Sequence, residues 1–394
     1  MSRLRTFVRR LAFATATAAR MLAEPVSAIA LALLVGGIGI FLLSGLVPGK
    51  TPGTNRPPLD VSLPLDAYGA LIGGVASFNG LTSTLVFSTP LILAGLGVAV
   101  GFKAGLFNIG GRGQFLMGSI GAMGAVMAIG QSAGPWITIP VALLAAFAMG
   151  ALAGFIPGFL KATSGAHEVV TTIMLNYILF YTSNWAIKGP LTLPRAPQPE
   201  THDVGTLNGA LYILPFTRDL HIGVFIALAA VPLMWFLLYR TTLGFEIRAA
   251  GANQDAARYA GMKTRRLIVL TMSLSGALIG LAGGVTLLGV VHQTPFGYDT
   301  AIGFDAITVA LLARSNPIAV LFSGLLLGAM RAGGPVMQTK AGVPSDLVDA
   351  LEAIILLFIV INFLRRYLAR RRAGGIPPEF ETVPAGPYSV EAAQ

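Results

Sequence analysis

GLFNIGGRGQ, residues 105–114, decides how this chain is read. The stretch joins two long apolar segments with almost no loop between them. It holds four glycines, an asparagine, an arginine and a glutamine. Irregular polar backbone between apolar spans survives in lipid only where protein buries it or where it lines a watery cavity. The stretch is therefore a candidate lining for a path across a membrane.

The rest of the 394-residue chain supports that setting. It is 54% hydrophobic and 11% charged, where a soluble domain carries roughly 25% charged residues. Its mean hydropathy is +0.74, and several apolar runs reach the roughly 20 residues a transmembrane helix needs. Cysteine is absent, which excludes disulfides and thiolate metal sites. His167, His202, His221 and His292 stand far apart and form no HExxH pair. No metal site is expected.

The net charge of +10 gains meaning once it is located. Arg3, Arg5, Arg9, Arg10 and Arg20 crowd the N-terminus, and Arg365, Arg366, Arg370, Arg371 and Arg372 crowd the C-terminal part. Segment 240–266 sets six basic residues against Glu246 and Asp255, whereas 47–84 and 188–219 are balanced. Positive loops stay in the cytoplasm. Both termini and 240–266 are thus expected inside, in a multi-pass protein of the cell (inner) membrane. The basic character marks topology and not a nucleic-acid partner.

Ten spans fit these constraints: Val26–Leu46, Leu85–Phe102, Phe115–Ile129, Ile137–Leu160, Val169–Ile187, His221–Tyr239, Leu267–Val290, Phe304–Ala313, Ile318–Ala332 and Leu347–Phe363. The first is longer than a signal-peptide core and is read as a retained helix. The expected fold is an all-α polytopic membrane protein with about ten transmembrane helices. Residues 1–25 form a cytoplasmic N-terminus, 26–363 a transmembrane domain with a cytoplasmic loop at 240–266, and 364–394 a cytoplasmic tail expected to be disordered. A Pro/Gly-rich outer loop is expected to run to about Thr84.

A weak symmetry runs through these spans. One, directed inward, meets the break at 105–114. Another, directed outward, meets HQTPFGYDTAIG at 292–303. Oppositely directed halves with corresponding interrupted segments mark an inverted repeat, and the breaks then point to the substrate site. Coincidence among glycine-rich helices is the competing reading.

Four constellations carry chemistry. In the break, Asn108 and Gln114 offer donors and acceptors, and Arg112 offers five donors with a permanent charge. A helix starting near Gly113 would add free backbone N–H groups and a positive dipole end. In HEVVTTIMLNYI, 167–178, Thr172 and Asn176 share a helix face; such faces bind ligand or hold helices together. Asp305, Asp349 and Glu352 lie in or near apolar spans, where acids are functional suspects. Proton coupling, helix pairing and an outer rim contact are the alternatives for them. The loop 240–266 has room for two short helices separated near Gly251–Asn253, with Ala256–Met262 as the second; it suits docking on a soluble partner. GKT at 49–51 lacks the leading glycine and the strand–turn–helix setting of a phosphate-binding loop. If ATP drives this protein, another subunit hydrolyses it.

GLFNIGGRGQFLMG at 105–118, EVVTTIMLNYI at 168–178, RTTLGFEIRAAGANQDAARYAGM at 240–262 and GFDAITVALLARSNPIA at 303–319 together resemble the permeases of ABC importers for branched-chain amino acids, simple sugars and nucleosides, most of all the nucleoside branch. The motifs stand in the family's order and cover most of the chain from about residue 80. The resemblance implies an ABC importer permease fold and a pore made with a second permease, paralogue or self. An ABC ATPase subunit would dock on 240–262 and use ATP and Mg, with no cofactor bound by this chain and no enzyme activity of its own. An extracytoplasmic substrate-binding protein would deliver the solute. Two positions depart from the family: it commonly has an acid where Arg112 stands and Asn where His167 stands. The expected path residues are Asn108, Arg112, Gln114, Thr172, Asn176 and Asp305. Those expected to couple to the ATPase are Glu246, Arg248, Gly251, Asp255 and Arg258. A proton-coupled secondary transporter working through Asp305 or Glu352 is the alternative from another class. Sugars or branched-chain amino acids are the alternative solutes.

Overall fold

The computed structural model describes residues 27, 29–42, 60–215 and 217–372. The N-terminal segment 1–25, both ends of the first expected span, the GKT at 49–51 and the tail beyond Arg372 lie outside the described residues.

Among the described residues the structure is helical, with only isolated β-bridges. The helices are α1 (Ile29–Leu42), α2 (Leu63–Ala76), α3 (Phe78–Lys103), α4 (Gly111–Ile129), α5 (Pro135–Ser164), α6 (Glu168–Lys188) and α7 (Gly223–Arg240). They continue with α8 (Thr242–Ala252), α9 (Gln254–Tyr259), α10 (Thr264–Thr286), α11 (Ile302–Leu312), α12 (Pro317–Ala341) and α13 (Asp346–Arg372). A π-helical turn, Leu287–Val291, extends α10. Five of these segments are long and apolar enough to cross a membrane: Phe78–Lys103, Pro135–Ser164, Gly223–Arg240, Thr264–Val291 and Pro317–Ala341.

Local chemistry sets the ends. Ser77, Thr241, Asn253 and Asn316 cap α3, α8, α9 and α12 by accepting a backbone N–H two or three residues on, at 2.9–3.1 Å, which satisfies donors the helix itself leaves free. α5 and α12 end on Gly165 and Gly342, both left-handed, a conformation glycine adopts without steric cost. Two expectations need correction. The stretch to Thr84 is not one outer loop: it contains α2, and α3 begins at Phe78. Pro64 stands in the first turn of α2, where it starts a helix instead of breaking one. At the other end α13 runs to Arg372, past the expected boundary at 363, because no glycine or proline intervenes before Gly374.

Backbone contacts divide the chain into two compact units: Gly36–Glu352, and a second made of Met1–Val35 with Ala353–Gln394. In the first, α5 and α10 form the tightest helix pair. Gly150, Gly154 and Gly158 line one ridge, and Gly276 and Gly280 line the other. A Cβ at Gly150 would lie 2.3 Å from the Gly276 carbonyl, and one at Gly154 2.2 Å from the Met272 carbonyl. Small residues four apart let two helix backbones touch where lipid gives no hydrophobic drive. α4 crosses the same ridge, with a Gly118 Cβ placed 2.0 Å from the Gly280 carbonyl. This frame fixes where α4 begins, and hence the break before it.

Candidate functional site

α6 measures out two interrupted segments. The first climbs from Ala104 to the start of α4. A Cβ at Gly110 would sit 3.3 Å from Thr172. Asn176 Nδ2 donates to the Ile109 carbonyl and its Oδ1 accepts the Gly113 N–H, both at 2.9 Å. The second segment, 292–303, descends from the other end. Lys188 Nζ lies 4.7 Å from the Phe296 ring centre, and Asn184 Oδ1 accepts the Gly297 N–H at 2.7 Å. Asp299 then meets Arg112, whose guanidinium lies 4.8 Å from the Phe180 ring centre. One segment occupies α6 at 172–176 and the other at 180–188. They meet near the helix midpoint.

The meeting point is built from glycine. A Cβ at Gly303 would lie 2.2 Å from the Arg112 nitrogen, and one at Gly111 would lie 2.6 Å from the Gly303 carbonyl. The first turns of α4 and α11 therefore press together, and each brings a positive dipole end, with the Gly113 N–H taken by Asn176 and the Ile302 N–H by Thr300 Oγ1. Arg112 adds a full positive charge. Asp299 answers it: Nε donates to Oδ1 and Nη2 to Oδ2, both at 2.6 Å. A shallow, open pocket of about 320 Å³ lies here, lined by Arg112, Asp299, Thr300, Ala301 and Phe304. Asp299 and Phe304 are about half exposed.

Behind the cavity a buried amide cluster holds the break. Asn108 Nδ2 donates to Gln114 Oε1 and to Ser275 Oγ, both at 2.9 Å. Its Oδ1 accepts the Gly110 N–H at 3.0 Å and Gln114 Nε2 at 3.1 Å. Asn108, Gln114, Thr172 and Asn176 are all buried, and Thr172 Oγ1 turns back to the Glu168 carbonyl at 2.7 Å. These four residues come together as a scaffold, with Arg112 alone of the break's polar side chains facing the cavity. Asp305 stands one residue beyond Phe304 but points to α12, where Arg331 Nη2 donates to its Oδ2 at 2.5 Å.

The loop 240–266 forms two helices, α8 and α9, separated at Asn253. Asp255 and Arg258 are exposed on α9, while Glu246, Arg248 and Gly251 are half-buried on α8. Arg248 lies 5.0 Å from the Tyr239 ring centre. Gly251 abuts the chain that enters the break: its Cβ would lie 2.1 Å from the Lys103 carbonyl, and a Cβ on Gly105 would lie 3.2 Å from the Gly251 carbonyl. Gly105 itself has φ +69. The break thus extends from α8 at Gly105 to mid-α6 at Arg112.

Asp299, Arg331, Phe180, Ser275 and Asn184 are participants that the sequence motifs do not single out. Asp299 is the sole acid of the 292–303 break, a signal that could have paired it with Arg112. Arg331 interrupts an apolar run as the only cation there, yet it reads as a span end. Phe180 carries no sequence signal. Among the described residues no group of three or more His, Cys, Asp or Glu could hold a metal ion.

The family described as branched-chain amino acid transport system / permease component matches residues 80–360. The guanosine ABC transporter permease protein NupP of Bacillus subtilis is 39% identical over 314 residues, 77% of this chain and 89% of that protein. The nucleoside ABC transporter permease protein NupB of Lactococcus lactis is 37% identical over 304 residues, 74% of this chain and 82% of that protein. The glucose ABC transporter permease protein TsgB13 of Haloferax volcanii is 32% identical over 354 residues, 87% of this chain and 88% of that protein.

Proposed function

We propose that this chain, which belongs to the branched-chain amino acid transport system / permease component family, is the membrane subunit of an ABC importer for nucleosides or related ribose-containing solutes. The observation that carries the reading is the meeting of two interrupted segments at Gly111 and Gly303, beside a cavity that holds Arg112 and Asp299. Irregular backbone at such a depth belongs to a buried or water-lined path, and paired broken helices mark transporter sites. The relatives named for guanosine and for nucleosides support the solute class.

In this reading about ten helices span the cell (inner) membrane, with both termini cytoplasmic, and the halves carrying the two breaks form an inverted repeat. Residues 26–363 are the permease domain. α8 and α9 receive a separate ATPase that uses ATP and Mg, through Glu246, Arg248, Gly251, Asp255 and Arg258. A second permease completes the pore, and an extracytoplasmic binding protein delivers solute. Arg112 meets the solute. Asn108, Gln114, Thr172 and Asn176 hold the wall behind it, and Asp305 fixes the start of α11. Alternating access follows when α8 shifts, because Gly251 bears on the backbone that leads into the break.

The test is ATP hydrolysis by the complete reconstituted complex, with binding protein loaded with nucleoside, ribose, glucose or leucine. Nucleosides are expected to stimulate hydrolysis. Stimulation by a sugar or by leucine, with none by any nucleoside, overturns the solute assignment and leaves the importer class standing.

A further inference from the structure

A guanidinium has five N–H donors in a fixed plane and no acceptor. Asp299 occupies its side edge by taking the Nε–H and one Nη2–H. By count, the second Nη2–H and both Nη1–H groups remain, and they form the end-on fork. Both Asp299 oxygens are engaged by Arg112, and Oδ1 also accepts the Thr300 N–H at 2.8 Å. The pair therefore offers three guanidinium N–H donors against one unfilled carboxylate lone-pair site. Phe180 covers one face of the guanidinium, whose side chain is only 19% exposed. With Asp299 and Phe180 holding the plane, the direction of the fork is set before a solute arrives. The first turns of α4 and α11 add further positive potential at the same place.

We infer that Arg112, aimed by Asp299, reads the O6/N7 edge of a 6-oxopurine nucleoside (guanosine or inosine) and disfavours adenosine. This deepens the nucleoside reading above and rests on it. An end-on arginine fork matches two neighbouring acceptors, and O6 with N7 of guanine is the pairing arginine most often makes with a base. Adenine places an amino group where O6 stands, so N–H would meet N–H. Phe304, about half exposed at the cavity, offers a ring for the base plane. Asp299 is a positioning residue here, since both its oxygens bind Arg112 and Oδ1 also accepts the Thr300 N–H.

The experiment compares uptake of guanosine, inosine, adenosine and 7-deazaguanosine, which lacks the N7 acceptor, by the complete importer in liposomes. It is run with wild-type chain and with Arg112→Lys, which keeps the charge and loses the fork. The same binding protein is used throughout, so its own selectivity cancels between the two chains. The guanosine-to-adenosine and guanosine-to-7-deazaguanosine uptake ratios are expected to fall about tenfold in Arg112→Lys. Unchanged ratios, whether or not the rates fall together, overturn the inference and leave the pair a structural tie. Should Arg112→Lys fail to assemble, Asp299→Asn is read the same way: its ratios fall if the fork needs aiming, and flat ratios overturn the inference. Wild-type chain that takes up no nucleoside at all sinks the nucleoside reading itself, which a flat ratio does not.

Discussion

Asn108 spends its whole hydrogen-bonding capacity inside the protein: two N–H donors to Gln114 and Ser275, and two lone pairs to Gly110 and Gln114. That arrangement makes it a hub of the break, because its loss orphans three partners at once. A buried group left unpaired costs roughly 1–3 kcal/mol, while hydrogen bonds inside membranes are worth about 0.6 kcal/mol on average. Asn108→Leu keeps the volume and is expected to destabilise the protein by about 2 kcal/mol or more. Ser275→Ala removes a single partner and is expected to cost under about 1 kcal/mol. Unfolding of both variants in detergent checks the order. Equal costs would mean that the break is held by its glycine contacts and not by the amides. The same residue shows what a sequence can and cannot say. Asparagine amid glycines at 105–114 marks polar backbone in an apolar setting, and that much is legible. Whether the amide faces solute or scaffold depends on Ser275, which stands 167 residues away, and no local pattern states that. The pairing of Arg112 with Asp299, 187 residues apart, is hidden for the same reason.

At the level of elements, periodicity and charge locate helices well where the chain is long and apolar, as in α3, α5 and α10. They fail at α2, where proline, glycine and aspartate in LPLDAYGALIGGVA look like loop composition although the proline opens a helix. The split of 240–266 near residue 253 is legible because Asn253 is both a helix end and a cap. What sequence leaves out is the contact between elements that gives the loop its work. Gly251 presses on the backbone of Lys103, with a hypothetical Cβ only 2.1 Å from the carbonyl oxygen. Backbone against backbone cannot relax by a rotamer change, so Gly251→Ala must push α8 away from the break. ATP hydrolysis belongs to the partner in the proposed importer. The expected outcome for Gly251→Ala is therefore hydrolysis that persists while its stimulation by loaded binding protein and the uptake of solute both fall by about tenfold or more, an effect on coupling that corresponds to about 1.4 kcal/mol. Parallel assays of hydrolysis and uptake on one liposome preparation check it. Loss of both with a normal degree of stimulation would place the fault in assembly and would remove this contact from the transmission path.

Across the whole molecule, what separates an ATP-driven permease from a proton-coupled transporter is how the acids of α11 and α13 are used. Asp305 on α11 and Glu352 on α13 converge on one cation, Arg331 of α12, at 2.5 and 3.3 Å, and Asp349 lies 3.8 Å from it. A carboxylate that shuttles protons has to gain and release one during each cycle. Here the acids share one guanidinium, and separating them from it would strand buried charge. Breaking a buried ion pair by removing one partner costs about 3–5 kcal/mol, whereas replacing the whole group with uncharged residues is often close to neutral. Arg331→Met alone is accordingly expected to destabilise the protein by about 3–5 kcal/mol. Arg331→Met combined with Asp305→Asn and Glu352→Gln is expected to recover most of that loss, and uptake along with it. A proton carrier could not survive the triple substitution. The decisive comparison uses the complete importer in liposomes: blocking ATP hydrolysis stops uptake in wild-type and triple-variant chains alike, and an ionophore that collapses the pH gradient changes neither. Uptake that follows the gradient, and disappears in the triple variant while the protein remains folded, would make the cluster a proton path and would replace the importer mechanism with a secondary one.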